Sequence, residues 1–164
     1  MNRARRVVIT GLGALTPIGL TVPTYWEGLR TGLSGAADIT HFDASKFKTR
    51  FACELKGFDV KTYMPHKEAR KMDPFSHYAM VATDEAIADA KLDLDRLDRD
   101  RIGVIIGSGI GGLNTFHEEI AAYALGDGTP RFNPYFIPKM IIDLAPGHIS
   151  IKHGLRGPNY STVS

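Results

Sequence analysis

The sequence has 164 residues, a length in the range of a single domain that buries a sizeable core. Its 43% hydrophobic and 23% charged residues exclude a disordered or fibrous chain, and a formal net charge of +2 gives no global field for nucleic acid or membranes. The single cysteine, Cys53, excludes an internal disulfide, and no apolar run is long enough for a signal peptide or a bilayer span, so we expect a cytoplasmic protein.

The first third of the chain predicts one strand, one helix and a loop-rich stretch. The β-branched run 7–10 ends at a glycine and is typical of a buried strand. Thr24 precedes a helical pattern and Glu27 stands three positions later, which is the spacing of a capping box. Residues 31–64 predict loops, with one strand candidate at 51–55.

Two helices flank a strand in the middle of the chain. Apolar residues recur at helical spacing over 75–90, and Asp73 stands before them as a candidate cap. The run 101–106 is typical of a fully buried strand. After a glycine-rich turn, residues 113–125 predict the next helix.

The last part of the chain predicts a proline-interrupted helix and a final strand. Pro138 suits the first turn of a helix that stops at Gly154, and Pro146 should kink or split that helix. Residues 159–164 have strand character, and a terminal strand or a break in a longer polypeptide explains the abrupt end equally well. Strands separated by helices predict an α/β fold with a largely parallel sheet.

The segment Gly107-Ser108-Gly109-Ile110-Gly111-Gly112 matches the dinucleotide-binding pattern G-x-G-x-x-G between a strand and a helix. In that interpretation, backbone amides at the helix N-terminus bind a pyrophosphate. However, no second strand with an acidic residue at its end follows the helix. We therefore favour a tight turn or a pocket for another ligand, and keep a dinucleotide-binding domain as the alternative.

No histidine or cysteine pattern indicates a metal site or a nucleophile. His117 begins an H-E-x-x-H motif, but Ala121 stands where the second histidine belongs. His148 and His153 are five residues apart and do not share a helix face well. Cys53 has no histidine nearby in sequence, so we predict a buried, inert thiol and expect no metal ion.

One segment, Lys67-Glu68-Ala69-Arg70-Lys71, concentrates basic residues directly before the helix predicted at 75–90. A solvated turn is the simple explanation. A docking site for an acidic partner or a phosphate is the functional one, since lysine and arginine supply charge-assisted hydrogen bonds and steering. Their chemistry alone supports the two interpretations equally.

An ordered set of motifs resembles the β-ketoacyl-acyl carrier protein synthases, in particular their type II members, over essentially the whole chain. No single motif is decisive, but the order of the set is highly specific. The matching segments are residues 6–13, 16–19, 32–35, 39–43, 67–73, 107–113, 134–138, 147–148 and 154–158.

The resemblance implies a thiolase-like layered α/β/α fold, of which residues 1–164 form the N-terminal half with a mostly parallel sheet. It implies a homodimeric acyltransferase of fatty acid synthesis with acyl carrier protein as its partner. In this family a cysteine takes the acyl chain as a thioester, and two histidines assist decarboxylation of malonyl-acyl carrier protein before a Claisen condensation. No cofactor is implied.

The resemblance also assigns roles to residues of this chain. Ile110 corresponds to the position that lines the acyl pocket, and Phe136 and Ile137 to residues that reach the far end of that pocket across the dimer interface. A further set corresponds to the patch that docks the acidic carrier protein and its phosphopantetheine arm. That set, called the docking cluster below, consists of Lys67, Arg70 and Lys71.

The catalytic groups of the family lie outside this chain. The resemblance places the nucleophilic cysteine shortly after Ser164 and the two histidines further on, and Cys53 does not align with the nucleophile. We therefore predict that the 164 residues alone are inactive and do not bury their half of the interlayer core. A non-catalytic partner subunit of the same fold, as in polyketide systems, is the alternative within the family.

Overall fold

The structure, a computed structural model, describes residues 6–163. The basic segment 1–5 and Ser164, the last residue of the predicted final strand, lie outside the described residues. Two compact units divide the chain, the first formed by residues up to 58 with Ala82–Leu92 and the second by Asp59–Val81 with the residues from 93 onward.

Helices are interspersed with short strands along the chain. In chain order they are α1 (Val22–Arg30), β1 (Ala37–Asp38), β2 (Phe51–Ala52), α2 (His66–Ala69), α3 (Pro74–Asp89), β3 (Val104–Gly107), α4 (Leu113–Leu125), α5 (Phe136–Met140), α6 (Leu144–His153) and β4 (Asn159–Thr162), with single 3-10 turns at Val60–Thr62, Leu94–Arg96 and Arg99–Arg101.

The first unit contains α1 and a short antiparallel pair of strands, β1 and β2. Helix α1 begins at Val22, not after Thr24 as predicted. Its cap is Thr21, whose hydroxyl accepts from the Thr24 amide while the Thr24 side chain accepts from the Thr21 amide. Pro23 suggested a loop before the helix, but it lies in the first helical turn. Proline is tolerated there because the N–H groups of the first turn have no partner within the helix.

The predicted strand at 7–10 is wrong for this chain. Among residues 6–163, no strand pairs with this segment, and its side chains are exposed: 95% for Val7, 63% for Val8 and 84% for Ile9. A β-branched sequence favours extended backbone, but a strand also needs a neighbour for its ladder of hydrogen bonds.

Carboxylates on the second half of α3 hold the glycine-containing loop before α1. The two carboxylate oxygens of Glu85 accept hydrogen bonds from the backbone amides of Ala14 and Val22, each with an N–O distance of 2.8 Å. Asp89 accepts from the Leu12 amide over 2.9 Å. Hydrogen bonds to charged acceptors are stronger than those to neutral ones. Because Glu85 accepts two of these three bonds, it is the main anchor of this loop.

We expect Glu85→Gln in the full-length protein to lower the free energy of unfolding by about 1 to 3 kcal/mol. The glutamine side chain has one acceptor oxygen in place of two. Its NH2 group would face a backbone N–H, and two donors form no hydrogen bond with each other. Chemical denaturation measures the change, with Glu118→Gln, an exposed position on α4, as the matched control. Equal losses in the two variants would contradict the anchoring role.

The second unit is built on the parallel pair β3 and β4, in which Val104 lies opposite Asn159 and Gly107 opposite Thr162. Helix α6 packs against both strands and buries Ile149 completely. The Asn159 side chain donates to the Pro146 carbonyl over a distance of 2.9 Å, which fixes β4 to the first turn of α6.

Val104 is buried, but Ile105 is 57% exposed, so the predicted burial of the whole 101–106 strand is wrong.

The helices predicted after residue 74 agree with the structure better than the predicted strands do. Helix α4 has the predicted bounds, and α3 is displaced by one residue from the prediction. The proline-interrupted helix is split into α5 and α6, with Pro146 in the first turn of α6. Gly154 ends α6 at φ +67°, a left-handed conformation that favours glycine.

These elements confirm the α/β fold class, with the parallel pair β3–β4 and its covering helix as the part of the sheet that this chain contributes. In the part of the chain that the structure describes, no helix is both long and apolar enough to cross a membrane.

Candidate functional site

The glycine-rich turn between β3 and α4 packs against the end of α5. A Cβ atom on Gly112 would lie 2.5 Å from the Lys139 carbonyl oxygen, and one on Gly111 would overlap the Met140 carbonyl oxygen. No side chain larger than hydrogen fits at either position without a backbone shift. The glycines therefore permit close approach of two backbones, which supports the packing interpretation over dinucleotide binding.

This packing brings the predicted acyl-pocket residues onto adjacent segments. Ile110 lies in the turn, and Phe136 and Ile137 form the start of α5, the helix whose last residues contact the turn. Ile110 is 71% exposed and Ile137 is 52% exposed, whereas Phe136 is half-buried. The two isoleucines thus present apolar surface on neighbouring segments of the second unit.

An aromatic cluster that the sequence did not predict lies behind Phe136. The Phe136 ring stacks on Phe132 and Phe116, with ring centroids 5.6 and 6.2 Å apart, and Tyr123 lies 5.5 Å from Phe132. Such pairs contribute about 0.5–1.5 kcal/mol each beyond their area burial, so they hold Phe136 in one position. The seven-residue spacing of Phe116 and Tyr123 on α4 was the available sequence signal.

The docking cluster lies on the surface of the second unit, around the short helix α2. Lys67 and Arg70 are exposed, and Lys71 is half-buried. Arg70 lines an open pocket of about 510 Å³, and Arg131, a residue that the sequence did not single out, lines the same pocket. The fold thus places two arginines from distant parts of the sequence at one surface concavity.

Polar contacts shape this pocket. The Asn133 amide donates to Glu119 over 3.0 Å, and the Asn133 side chain accepts from the Tyr135 amide over 2.9 Å. Arg131 pairs with Asp127 over 3.1 Å, with both side chains exposed. An exposed pair of this kind contributes little to stability, about 0–1 kcal/mol, so an incoming anion competes readily for Arg131.

A profile of the family described as "Beta-ketoacyl synthase, N-terminal domain" matches residues 4–164, nearly the whole chain. The chain belongs to this family. It is 48% identical over 165 residues to the 3-oxoacyl-[acyl-carrier-protein] synthase 2 of Staphylococcus aureus strain COL. It is 47% identical over 160 residues to the synthase of the same name from a Synechocystis species. The chain spans 39% and 38% of the length of these two relatives.

Solved structures show the same thiolase-like fold. The chain matches a chain of the ishigamide ketosynthase/chain length factor with a TM-score of 0.87 and 27% identity, over 97% of this chain and 40% of that one. It matches a chain from the complex of a type II PKS acyl-carrier protein with its ketosynthase with a TM-score of 0.74 and 27% identity, over 94% and 40% of the two chains. The predicted fold family is therefore confirmed.

Lys71 lies near His148, a half-buried histidine of α6. Burial lowers the pKa of His148 below its ordinary value, and repulsion from Lys71 and then His77 lowers it further. The imidazole is therefore neutral over a wider pH range in the folded state than in the unfolded chain. Because the folded pKa is depressed, the stability that depends on neutral His148 is present above about pH 6.5 and is lost as the pH falls through the folded pKa.

We expect His148→Gln in the full-length protein to reduce the decrease in Tm between about pH 7.5 and pH 5.5. Glutamine keeps a polar side chain of similar reach without the proton equilibrium. Thermal unfolding at the two pH values measures the effect, with His41→Gln, an exposed position, as control. The same pH-dependent decrease in wild type and in His148→Gln would contradict the role of this histidine.

The remaining predictions from the sequence concern Cys53 and possible metal ligands. The Cys53 side chain is exposed, so the prediction of a buried thiol is wrong; the strand that precedes it, β2, has only two residues and buries little. Among residues 6–163, no three histidine, cysteine, aspartate or glutamate side chains are grouped as metal ligands.

Proposed function

We propose that the full-length protein is a condensing enzyme that elongates acyl chains by decarboxylative Claisen condensation with malonyl-acyl carrier protein in fatty acid synthesis. The single observation that carries this proposal is the 48% identity, over the whole chain, to a 3-oxoacyl-[acyl-carrier-protein] synthase 2. A cytoplasmic location and a homodimer are part of the proposal.

The docking cluster is proposed to bind the acyl carrier protein. Two exposed cations, Lys67 and Arg70, project from or next to α2, and Arg131 shares a pocket with Arg70. Acidic side chains and a phosphate diester are the chemistry that guanidinium groups recognise best, through paired, charge-assisted hydrogen bonds. The matching ketosynthase complex, which contains a type II PKS acyl-carrier protein, supports this class of partner.

The apolar residues of the glycine-rich turn and α5 are proposed to line the acyl chain. Ile110 and Ile137 expose large apolar side chains, which favour an alkyl ligand or a covering protein surface over water. Phe136 is fixed by its aromatic neighbours and offers a rigid wall. In the homodimer, Phe136 and Ile137 reach the pocket of the partner subunit.

The chemistry uses groups outside this chain. A cysteine thiolate attacks the acyl thioester and releases the carrier thiol. The acyl group is then held on the enzyme as a cysteine thioester. The malonyl carrier thioester then loses carbon dioxide, and the electron pair of the broken carbon–carbon bond attacks the enzyme thioester carbonyl. The new carbon–carbon bond forms as the cysteine thiolate leaves, and two histidines stabilise the developing oxyanion.

The test is a condensation assay with the full-length protein, acyl-acyl carrier protein and malonyl-acyl carrier protein. We expect one carbon dioxide released per β-ketoacyl product, and a product two carbons longer than the acyl substrate by mass spectrometry. Carbon dioxide without product, or no turnover from a folded protein, would contradict the proposal.

A non-catalytic partner subunit is the second candidate, because one of the matching structures is a ketosynthase/chain length factor assembly. The identity to that chain is 27%, whereas the identity to the synthases is 48%, so we favour the enzyme. A subunit of this kind forms no acyl-enzyme and works only beside a catalytic partner, whereas a synthase turns over alone.

A further inference from the structure

A buried hydrogen bond joins the start of α3 to the start of α4. Asp73 and Thr115 are only 5% and 6% exposed, and the Thr115 hydroxyl donates to the Asp73 carboxylate over 2.6 Å. The other carboxylate oxygen accepts from the Phe75 amide over 3.3 Å. A buried carboxylate left without partners is strongly unfavourable, so these contacts hold Asp73 in one position.

A second buried hydrogen bond joins α2 to α3. His77 is 8% exposed, and its Nε2 lies 2.9 Å from the Ala69 carbonyl oxygen. A carbonyl oxygen only accepts, so Nε2 carries the hydrogen and donates it. The same carbonyl also accepts from the Met72 amide over 3.0 Å, which closes the chain segment around it.

One of these contacts is made within the docking cluster and the other just after it. Ala69 lies between Lys67 and Arg70, and Asp73 comes two residues after Lys71. Thr115, at the far end of the first contact, belongs to the first turn of α4, directly after the glycine-rich turn that carries the proposed acyl-pocket residue. The backbone of the basic segment is thereby tied to the element on which the proposed pocket depends.

We propose that Asp73, Thr115 and His77 are positioning residues that fix the docking cluster relative to the glycine-rich turn. They are buried and do not reach a bound protein, so they act through the basic side chains. Flexible lysine and arginine side chains orient a partner only if their backbone is fixed, and orientation decides whether a tethered thioester meets its pocket. This inference rests on the proposed carrier-protein docking.

The test compares two substrates in the full-length protein. We expect Thr115→Val to raise the KM for acyl-acyl carrier protein about fivefold and to leave the KM for an acyl-pantetheine thioester within about twofold. The carrier-free substrate has no protein surface to orient. Thr115→Ser keeps the hydroxyl and is expected to restore the wild-type KM for the carrier-bound substrate.

A second pair of variants covers the case in which Thr115→Val does not fold. His77→Gln keeps an N–H donor near the position of Nε2, whereas His77→Met removes it at similar length. We expect only His77→Met to raise the KM for the carrier-bound substrate. Loss of affinity for both substrates alike, or no difference within either pair of variants, overturns the positioning inference.

Arg70→Ala separates failure of this inference from failure of the proposed docking. If Arg70→Ala leaves the KM for acyl-acyl carrier protein unchanged, the docking assignment itself is wrong. If Arg70→Ala raises that KM and both donor-deleting variants do not, docking stands and the positioning role of the buried residues is wrong.

Discussion

Replacing Arg70 with glutamate in the full-length protein is expected to raise the KM for acyl-acyl carrier protein at least about tenfold, with most of the effect on KM and not on kcat. Arg70 is exposed and shares its pocket with Arg131, so the substitution places a negative charge in front of the proposed acidic partner. Steady-state kinetics at low ionic strength measure the change, and the difference should shrink as salt is added.

Arg96→Glu is the matched control for this substitution. Arg96 is also an exposed arginine of the second unit, at the end of the Leu94–Arg96 turn, and it is not part of the docking cluster. The two variants have the same net charge, so a general electrostatic effect on the substrate moves both equally. An equal rise in KM for Arg96→Glu and Arg70→Glu would contradict specific docking.

Gly111→Ala is expected to lower the free energy of unfolding by about 3 kcal/mol or to prevent folding of the full-length protein. The added methyl group overlaps the Met140 carbonyl oxygen, which is backbone and cannot rotate away as a flexible side chain does. Either the turn or the end of α5 must move, which also displaces the residues proposed to line the acyl chain.

Gly109→Ala in the same turn is the control. A Cβ atom on Gly109 has no atom within 4 Å, and its φ lies outside the left-handed region, so alanine fits there. Soluble yield and chemical denaturation of the two variants measure the difference. Comparable stability of Gly111→Ala and Gly109→Ala would contradict the packing role of the turn.

The elements that the sequence predicted well depend on local patterns. Helix α4 has the predicted bounds because its apolar spacing starts after the glycines and ends at Gly126. The split before α6 follows from Pro146, which is compatible with a first helical turn but not with a helix interior. Neither depends on what lies beyond the segment itself.

The elements that the sequence predicted poorly depend on neighbours. Residues 7–10 have strand composition, but pairing needs a second strand, and none lies beside them among the described residues. The exposure of Ile105 has the same origin, since burial on both faces of a sheet requires covering layers that a strand's own sequence does not specify.

The site shows the same division. Lys67, Arg70 and Lys71 stand in one basic segment of the sequence, so the sequence alone is enough to single them out, and their docking role stays a prediction. Arg131 was missed because its relation to Arg70 exists only in the folded chain. The Asp73–Thr115 contact was missed for the same reason, although the capping position of Asp73 was predicted.

The most direct test of the proposed condensing function is the intact mass of the full-length protein after incubation with acyl-acyl carrier protein alone, followed by peptide mapping. We predict a mass increase of one acyl group, on a cysteine beyond residue 164, with the same increase in a Cys53→Ser variant. An unchanged mass, or an acyl group carried by the exposed Cys53, would contradict the condensing function.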